Sequence, residues 1–136
     1  MDTRQITPDL HVSPQIEVAD VAALKEAGFR AILCNRPDGE GPGQPSYDVV
    51  AEAARAEGIE VRYLPVQSGA VTDANVADFR TALAELPTPV LAYCRSGTRC
   101  TVLWSLSQAG TRPKDEILQA ARTAGYDMTS LAPRLG

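Results

Sequence analysis

Short apolar runs alternate with helix-length amphipathic stretches along this chain, and glycines mark the joints between them. Gly28 is followed by the run from Phe29 to Asn35, and Gly58 by Ile59 and the run from Glu60 to Leu64. Each glycine stands where a helix ends in a left-handed residue and hands over to a strand. This repeated helix-to-strand order predicts an α/β fold of three layers, with a mostly parallel central sheet flanked by helices. At 136 residues, without repeats or a linker-like segment, the chain is expected to form one domain, 1–136.

The remaining elements follow from the same punctuation. A short strand is expected near Leu10 to Val12, and a first helix carries Val18, Val21, Ala22 and Leu24 on one face. The segment from Arg36 to Pro45 holds three glycines and three prolines and must be a loop, with a second helix over about 46–57. Thr72 is placed as the N-cap of a helix whose apolar stripe is Val76, Phe79, Leu83 and Leu86. Pro87 and Pro89 break that helix before a strand ending at Tyr93, and two further helices are expected over about 100–109 and 113–124.

Charge and cysteine usage exclude several function classes. The net charge is -4, which advertises no basic face, and clustered lysines are absent, so neither nucleic acid nor an acidic membrane is an expected partner. No run approaches the ~18 apolar residues of a membrane span, and the first residues carry no signal-peptide core, so a cytoplasmic location is expected. Three cysteines, Cys34, Cys94 and Cys100, do not make a disulfide framework. With His11 as the single histidine, neither a zinc site nor a His-based catalytic pair is expected, and no cofactor is implied. The oligomeric state is not readable from these residues.

The chemistry concentrates where a strand, Pro89 to Tyr93, runs into Cys94-Arg95-Ser96-Gly97-Thr98-Arg99 and then a helix starting near Cys100. Amides of a tight glycine-containing loop converge on one point, the helix adds the positive end of its dipole, and Arg99 adds a two-pronged cation. All three favour Cys94 as thiolate, so Cys94 is the expected nucleophile and Arg99 its anion-holding partner. Arg95, Ser96, Gly97, Thr98 and Cys100 complete the expected anion-binding loop. The substrate is expected to be a small anion: thiosulfate, a persulfide or a phosphate ester.

These residues resemble a known family. The strand Ala31-Ile32-Leu33-Cys34-Asn35-Arg36, the helix ending Gly58-Ile59, the strand ending Leu64-Pro65-Val66 and the cysteine loop together resemble the cysteine-dependent dual-specificity-type phosphatase superfamily. Tyr93 to Arg99, with Arg36-Pro37-Asp38-Gly39-Glu40, looks more closely like the phosphatase-like domain associated with beta-lactamase-hydrolase-like proteins, over roughly residues 5 to 130. The resemblance implies a protein-tyrosine/dual-specificity-phosphatase-like fold.

Three departures from the phosphatase pattern bear on function. Tyr93 replaces a histidine, and four residues rather than five separate Cys94 from Arg99, a spacing that resembles rhodanese sulfurtransferases. Gln67 stands where such phosphatases carry an aspartic general acid, two residues after Pro65. Phenolate and alkoxide leaving groups, with pKa of about 10 or more, need that acid, and losing it should cost roughly 100- to 10,000-fold. Sulfite and thiolates leave without it. The leading expectation is therefore a rhodanese-like sulfurtransferase carrying a Cys94 persulfide to a thiol or cyanide. The alternative is phosphomonoester hydrolysis through a Cys94 phosphoenzyme, with Asp73, Asp78 or Asp38 as stand-in acid, and a third reading is a non-catalytic thiol redox sensor.

Two further expectations come from the resemblance. Cys34 lies on the strand next to the nucleophile's strand in that superfamily, and some relatives protect the nucleophile by an internal disulfide, which makes Cys34 a possible redox partner of Cys94. Cys100 occupies a position where relatives often carry a hydroxyl that supports the thiolate, although simple packing is the preferred account of it.

Overall fold

The computed structural model describes residues 1–136. Five strands form one sheet: β1 (Arg4–Thr7), β2 (Leu10–Ser13), β3 (Ala31–Cys34), β4 (Glu60–Tyr63) and β5 (Val90–Tyr93), in the order β1-β2-β5-β3-β4. Only β1 runs antiparallel to its neighbour; every other pairing is parallel. The helices are α1 (Asp20–Glu26), α2 (Tyr47–Ala56), α3 (Asp73–Glu85), α4 (Thr98–Ser107), α5 (Lys114–Thr123) and the short α6 (Ala132–Leu135), with a 3₁₀ turn at Thr129–Leu131.

β5 is central, and all four of its residues are buried, as expected for a parallel strand covered on both faces. One face packs Leu33, Ala92 and Val12 against Phe79 of α3, Leu103 of α4 and Ile117 of α5. The other packs Ile32, Leu91 and Tyr93 against Val21 and Leu24 of α1 and Val50 and Ala54 of α2. These two cores are the three layers predicted from the alternation, as a mixed five-stranded sheet.

Caps set the helix boundaries. Ser46 accepts from the Val49 amide at the start of α2, and Thr72 and Asn75 form a reciprocal capping box at the start of α3. Two details of the first helix differ from the periodic reading. It begins only at Asp20, so Val18 lies before it, and Ala22 is exposed; Val21 and Leu24 alone are buried. The strand β1 went unpredicted because its four residues, Arg-Gln-Ile-Thr, contain one apolar side chain.

The register of the parallel strands places the site. Ser13, Tyr93 and Cys34 stand abreast at the carboxyl ends of β2, β5 and β3. The chain segments that follow them therefore emerge side by side, where ligands bind in open α/β sheets. Backbone bonds tie them together: the Cys94 amide donates to Ser13 O, the Gln15 amide to Arg95 O, and the Asn35 amide to Tyr93 O.

Candidate active site

The loop from Cys94 to Gly97 closes on its own first side chain. Gly97, with φ 91°, caps α4 in the left-handed region, and its amide donates to Cys94 Sγ at 3.1 Å. A Cβ there would also collide with the Tyr126 hydroxyl, which donates to Ser96 O at 3.0 Å and so holds the loop from outside. Thr101 Oγ1 donates to Gly97 O at 2.8 Å from the first turn of α4.

Cys94 is buried, and its thiol is nevertheless lowered to about 6. The largest cause is the Cys100 thiol hydrogen-bonding to it; burial works in the opposite direction, and the backbone amides of Cys100, Ser96 and Gly97 add to the lowering. Cys100 itself is fully buried, and burial together with its contact to Cys94 pushes its thiol well up, so it remains the donor of the pair.

Arg99 enters from the second position of α4 with its side chain 7% exposed. Nη1 donates to Val66 O at 2.9 Å, to Asn35 O at 3.4 Å and to Glu40 Oε2 at 3.1 Å, and Nη2 donates to Glu40 Oε1 at 3.2 Å. Nε is buried with no acceptor among the protein atoms. Both terminal nitrogens of the guanidinium thus have protein acceptors, while Nε has none. Glu40 also accepts from Arg36 Nε at 3.0 Å, and Arg36 in turn donates to Gln15. Burial alone would raise the Glu40 carboxyl, but the hydrogen bonds and charges of Arg99 and Arg36 bring it below the ordinary value.

Above Cys94 lies a cavity of about 340 Å³ lined by Cys94, Arg95, Arg99, Arg134, Ser68 and Gly69, among others. Val71 and Val102 form its apolar wall, and Ser96 and Thr98 border it from the loop. The structure thus brings Cys94, Arg95, Ser96, Thr98 and Arg99 around one space. The three carboxylates weighed as acids are elsewhere. Asp38 accepts from the Tyr47 amide at 2.8 Å at the start of α2, Asp73 borders a neighbouring cleft, and Asp78 is exposed on α3. Gln67 does not line the cavity either, although Ser68 and Gly69 beside it do.

Cys34 faces away. Side chains alternate along a strand, so Cys34 shares its sheet face with its register partner Tyr93, in the α1/α2 core, while Cys94 belongs to the opposite core. Its Sγ donates to Arg36 O at 3.3 Å, and burial pushes its thiol up to about 11. All three cysteines are free, and the thiol that meets Cys94 is Cys100, not Cys34. No three His, Cys, Asp or Glu side chains are grouped so as to hold a metal ion, and no helix is long and apolar enough to cross a membrane.

Two contributors were not legible in the sequence, and a third was legible only in part. Arg134 and Tyr126 come from beyond α4, and nothing in their local sequence marks them. Glu40 carried a signal, since it sits four residues after Arg36, but its second partner lies 59 residues away.

The family described as "Beta-lactamase hydrolase-like protein, phosphatase-like domain" matches residues 2–111. The chain belongs to this phosphatase-like domain family. A beta-lactamase hydrolase-like protein of Agrobacterium fabrum is 35% identical over 130 residues, which cover 94% of this chain and 30% of the relative; the chain thus spans under a third of that protein's length. Among solved structures, a candidate phosphatase from Neisseria meningitidis Z2491 superposes with a TM-score of 0.89 at 34% identity, covering 99% of this chain and 96% of the other. TpbA of P. aeruginosa, at 20% identity, shares the fold, with a TM-score of 0.69 over 98% of this chain and 83% of its own. Membership of a phosphatase-like family does not support the rhodanese-like sulfurtransferase expectation; the phosphatase alternative fits better. In this four-residue loop the amide of the left-handed Gly97 still points at the sulfur.

Proposed function

We propose that the chain, working as one phosphatase-like domain over 1–136, hydrolyses phosphate esters through a phosphorylated Cys94. The observation that carries this reading is the pairing of a thiolate held at about 6 with an arginine whose Nε edge is the unpaired side of its guanidinium. A phosphoryl group bound over Cys94 meets Arg99 Nε and the loop amides on its equatorial oxygens, with sulfur in line behind phosphorus. Cys94 displaces the leaving oxygen, and water then releases phosphate and restores the thiolate. Small anions suit such a site, and a TpbA structure in complex with pTyr shows one in a protein of this fold. Unpaired cysteines fit a cytoplasmic setting.

Rapid acid quenching during phenyl phosphate turnover should trap a phosphoryl mass gain on the peptide containing Cys94, and Cys94→Ser should abolish both the adduct and phosphate release. A parallel tube with thiosulfate and cyanide separates the readings. Cys94-dependent thiocyanate without any phosphate release would overturn this proposal in favour of sulfur transfer.

A further inference from the structure

The cavity is short of proton donors and rich in cations. Its polar side chains are the arginines Arg95, Arg99 and Arg134 and the hydroxyls of Ser68, Ser96 and Thr98. The nearby carboxylates are committed: Glu40 to Arg99 and Arg36, and Asp38 to the α2 amide. Asp73 borders the neighbouring cleft, and no carboxyl group lines the cavity itself to protonate an alkoxide or phenolate formed there.

Two of the three arginines have no partner. Arg99 is paired with Glu40, but neither Arg95 nor Arg134 makes a side-chain hydrogen bond or ion pair. Arg134 is exposed, and the buried Leu135 beside it anchors its backbone to the main core. It borders two further clefts, one shared with Arg112 and Lys114 and one with Arg80 and Asp73, and forms no ion pair with that aspartate. None of Arg95, Arg134, Arg112, Lys114 or Arg80 is paired with a carboxylate, on a chain whose net charge is -4. A positive mouth on an acidic protein focuses the field on an incoming polyanion. The space of about 340 Å³ is room for about ten waters, more than one phosphoryl group fills.

Building on the phosphatase reading, we propose that the substrate is a phosphoanhydride, a terminal phosphoryl group carried on a second phosphate, with Arg134 and Arg95 holding the phosphate that leaves. Cys94 thiolate attacks the terminal phosphorus; the sulfur–phosphorus bond forms, the bond to the bridging oxygen breaks, and its electron pair leaves on the second phosphate. A monoester diphosphate of charge -3 and the thiolate become a thiophosphate of charge -2 and a phosphate monoester of charge -2, so no proton is consumed. Water then attacks phosphorus and gives dihydrogen phosphate and the thiolate. The departing phosphate monoester has a second pKa of about 6, against about 10 for a phenol, so it leaves without an acid. What it requires is charge compensation, which two free guanidiniums supply.

Inorganic tripolyphosphate and phenyl phosphate are the probes, compared at equal ionic strength by phosphate release. We expect kcat/KM at least about tenfold higher for tripolyphosphate. Arg134→Gln should cut that ratio about tenfold, the loss of one charged hydrogen bond, and Arg134→Lys should restore much of it. Phenyl phosphate turned over as fast as tripolyphosphate, or Arg134→Gln lowering both alike, overturns the inference and leaves the phosphatase reading intact. Calorimetry on Cys94→Ser supplies a test without turnover: tripolyphosphate should bind more tightly than orthophosphate, and the advantage should vanish when Arg134→Gln is added. Binding independent of Arg134 overturns the subsite. Failure of the wild-type protein to release phosphate from either compound overturns the phosphatase reading itself, and the anhydride chemistry with it.

Discussion

Glu40 grips Arg99 at two points, Oε2 to Nη1 at 3.1 Å and Oε1 to Nη2 at 3.2 Å, and thereby decides which edge of the guanidinium is free. The carboxylate also pairs with Arg36, so one negative charge holds two nearly buried positive ones apart. It is a positioning residue: it touches the arginine, not the space above Cys94.

Replacing Glu40 by Ala leaves two buried guanidiniums facing each other. Stability in urea should fall by about 3 kcal/mol, and inhibition by orthophosphate should weaken about tenfold as Arg99 loses its orientation. Glu40→Gln, which keeps one acceptor, should fall between. An unchanged phosphate inhibition constant in Glu40→Ala would mean that Val66 O and Asn35 O alone orient Arg99.

The acidity of Cys94 gives a pH test with a definite sign. Alkylation by iodoacetamide should rise through about pH 6 and then level off, two to three units below an ordinary thiol. Cys100→Ala, which removes the largest cause of the lowering, should move that midpoint upward, and Cys100→Ser, which keeps a donor, should hold it low. Because the folded value is depressed, the thiolate contributes stability that is fully present above the unfolded thiol range, near pH 8.5 to 9, and is lost as pH falls through about 6. The stability gap between wild type and Cys94→Ser should shrink over that window. A midpoint unmoved by Cys100→Ala would assign the acidity to the backbone amides alone.

Gly97 admits no side chain. Its φ of 91° and the Tyr126 hydroxyl beside it both oppose a Cβ, so Gly97→Ala should reduce phosphate release at least about 100-fold by moving the amide that meets Cys94. Tyr126→Phe removes one hydrogen bond to Ser96 O and should cost about 1 kcal/mol of stability. Wild-type activity in Gly97→Ala would show that the loop tolerates a shifted amide.

A carboxylic acid introduced at the cavity should reveal what the native site lacks. Ser68 lines the space, so Ser68→Asp should raise phenyl phosphate turnover by about tenfold or more without raising that of tripolyphosphate, whose leaving group needs no acid and is repelled by the added charge. Gln67→Asp, one residue earlier and off the cavity, should do less. Equal acceleration of both substrates would contradict an acid-independent leaving group.

The alternation of runs and the glycines at 28 and 58 made the layers readable, and the cysteine loop made the nucleophile a clear candidate, because these signals are local. The adjacency of Cys34's strand to the nucleophile's strand was also readable, and the structure shows it in the pairing of Cys34 with Tyr93; that the two thiols fall in different core clusters was not readable, because it depends on how the helices pack on each face. Arg134 and Tyr126 could not be read at all. Their places depend on how α5 and the turns after it dock on the main core, through Ile117, Ala121 and Leu135, and a sequence window around either residue contains none of that.

The position of β5 has a consequence for synthesis. It lies between β2 and β3, both drawn from the first 34 residues, yet it is the last strand to be made. A nascent chain shorter than about 93 residues therefore carries two bare strand edges facing an empty slot, the arrangement most open to pairing with another chain. The strand that fills the slot is the one that delivers Cys94, so the nucleophile arrives only when the sheet closes, and recovery of Cys94 reactivity during refolding should report closure rather than early collapse.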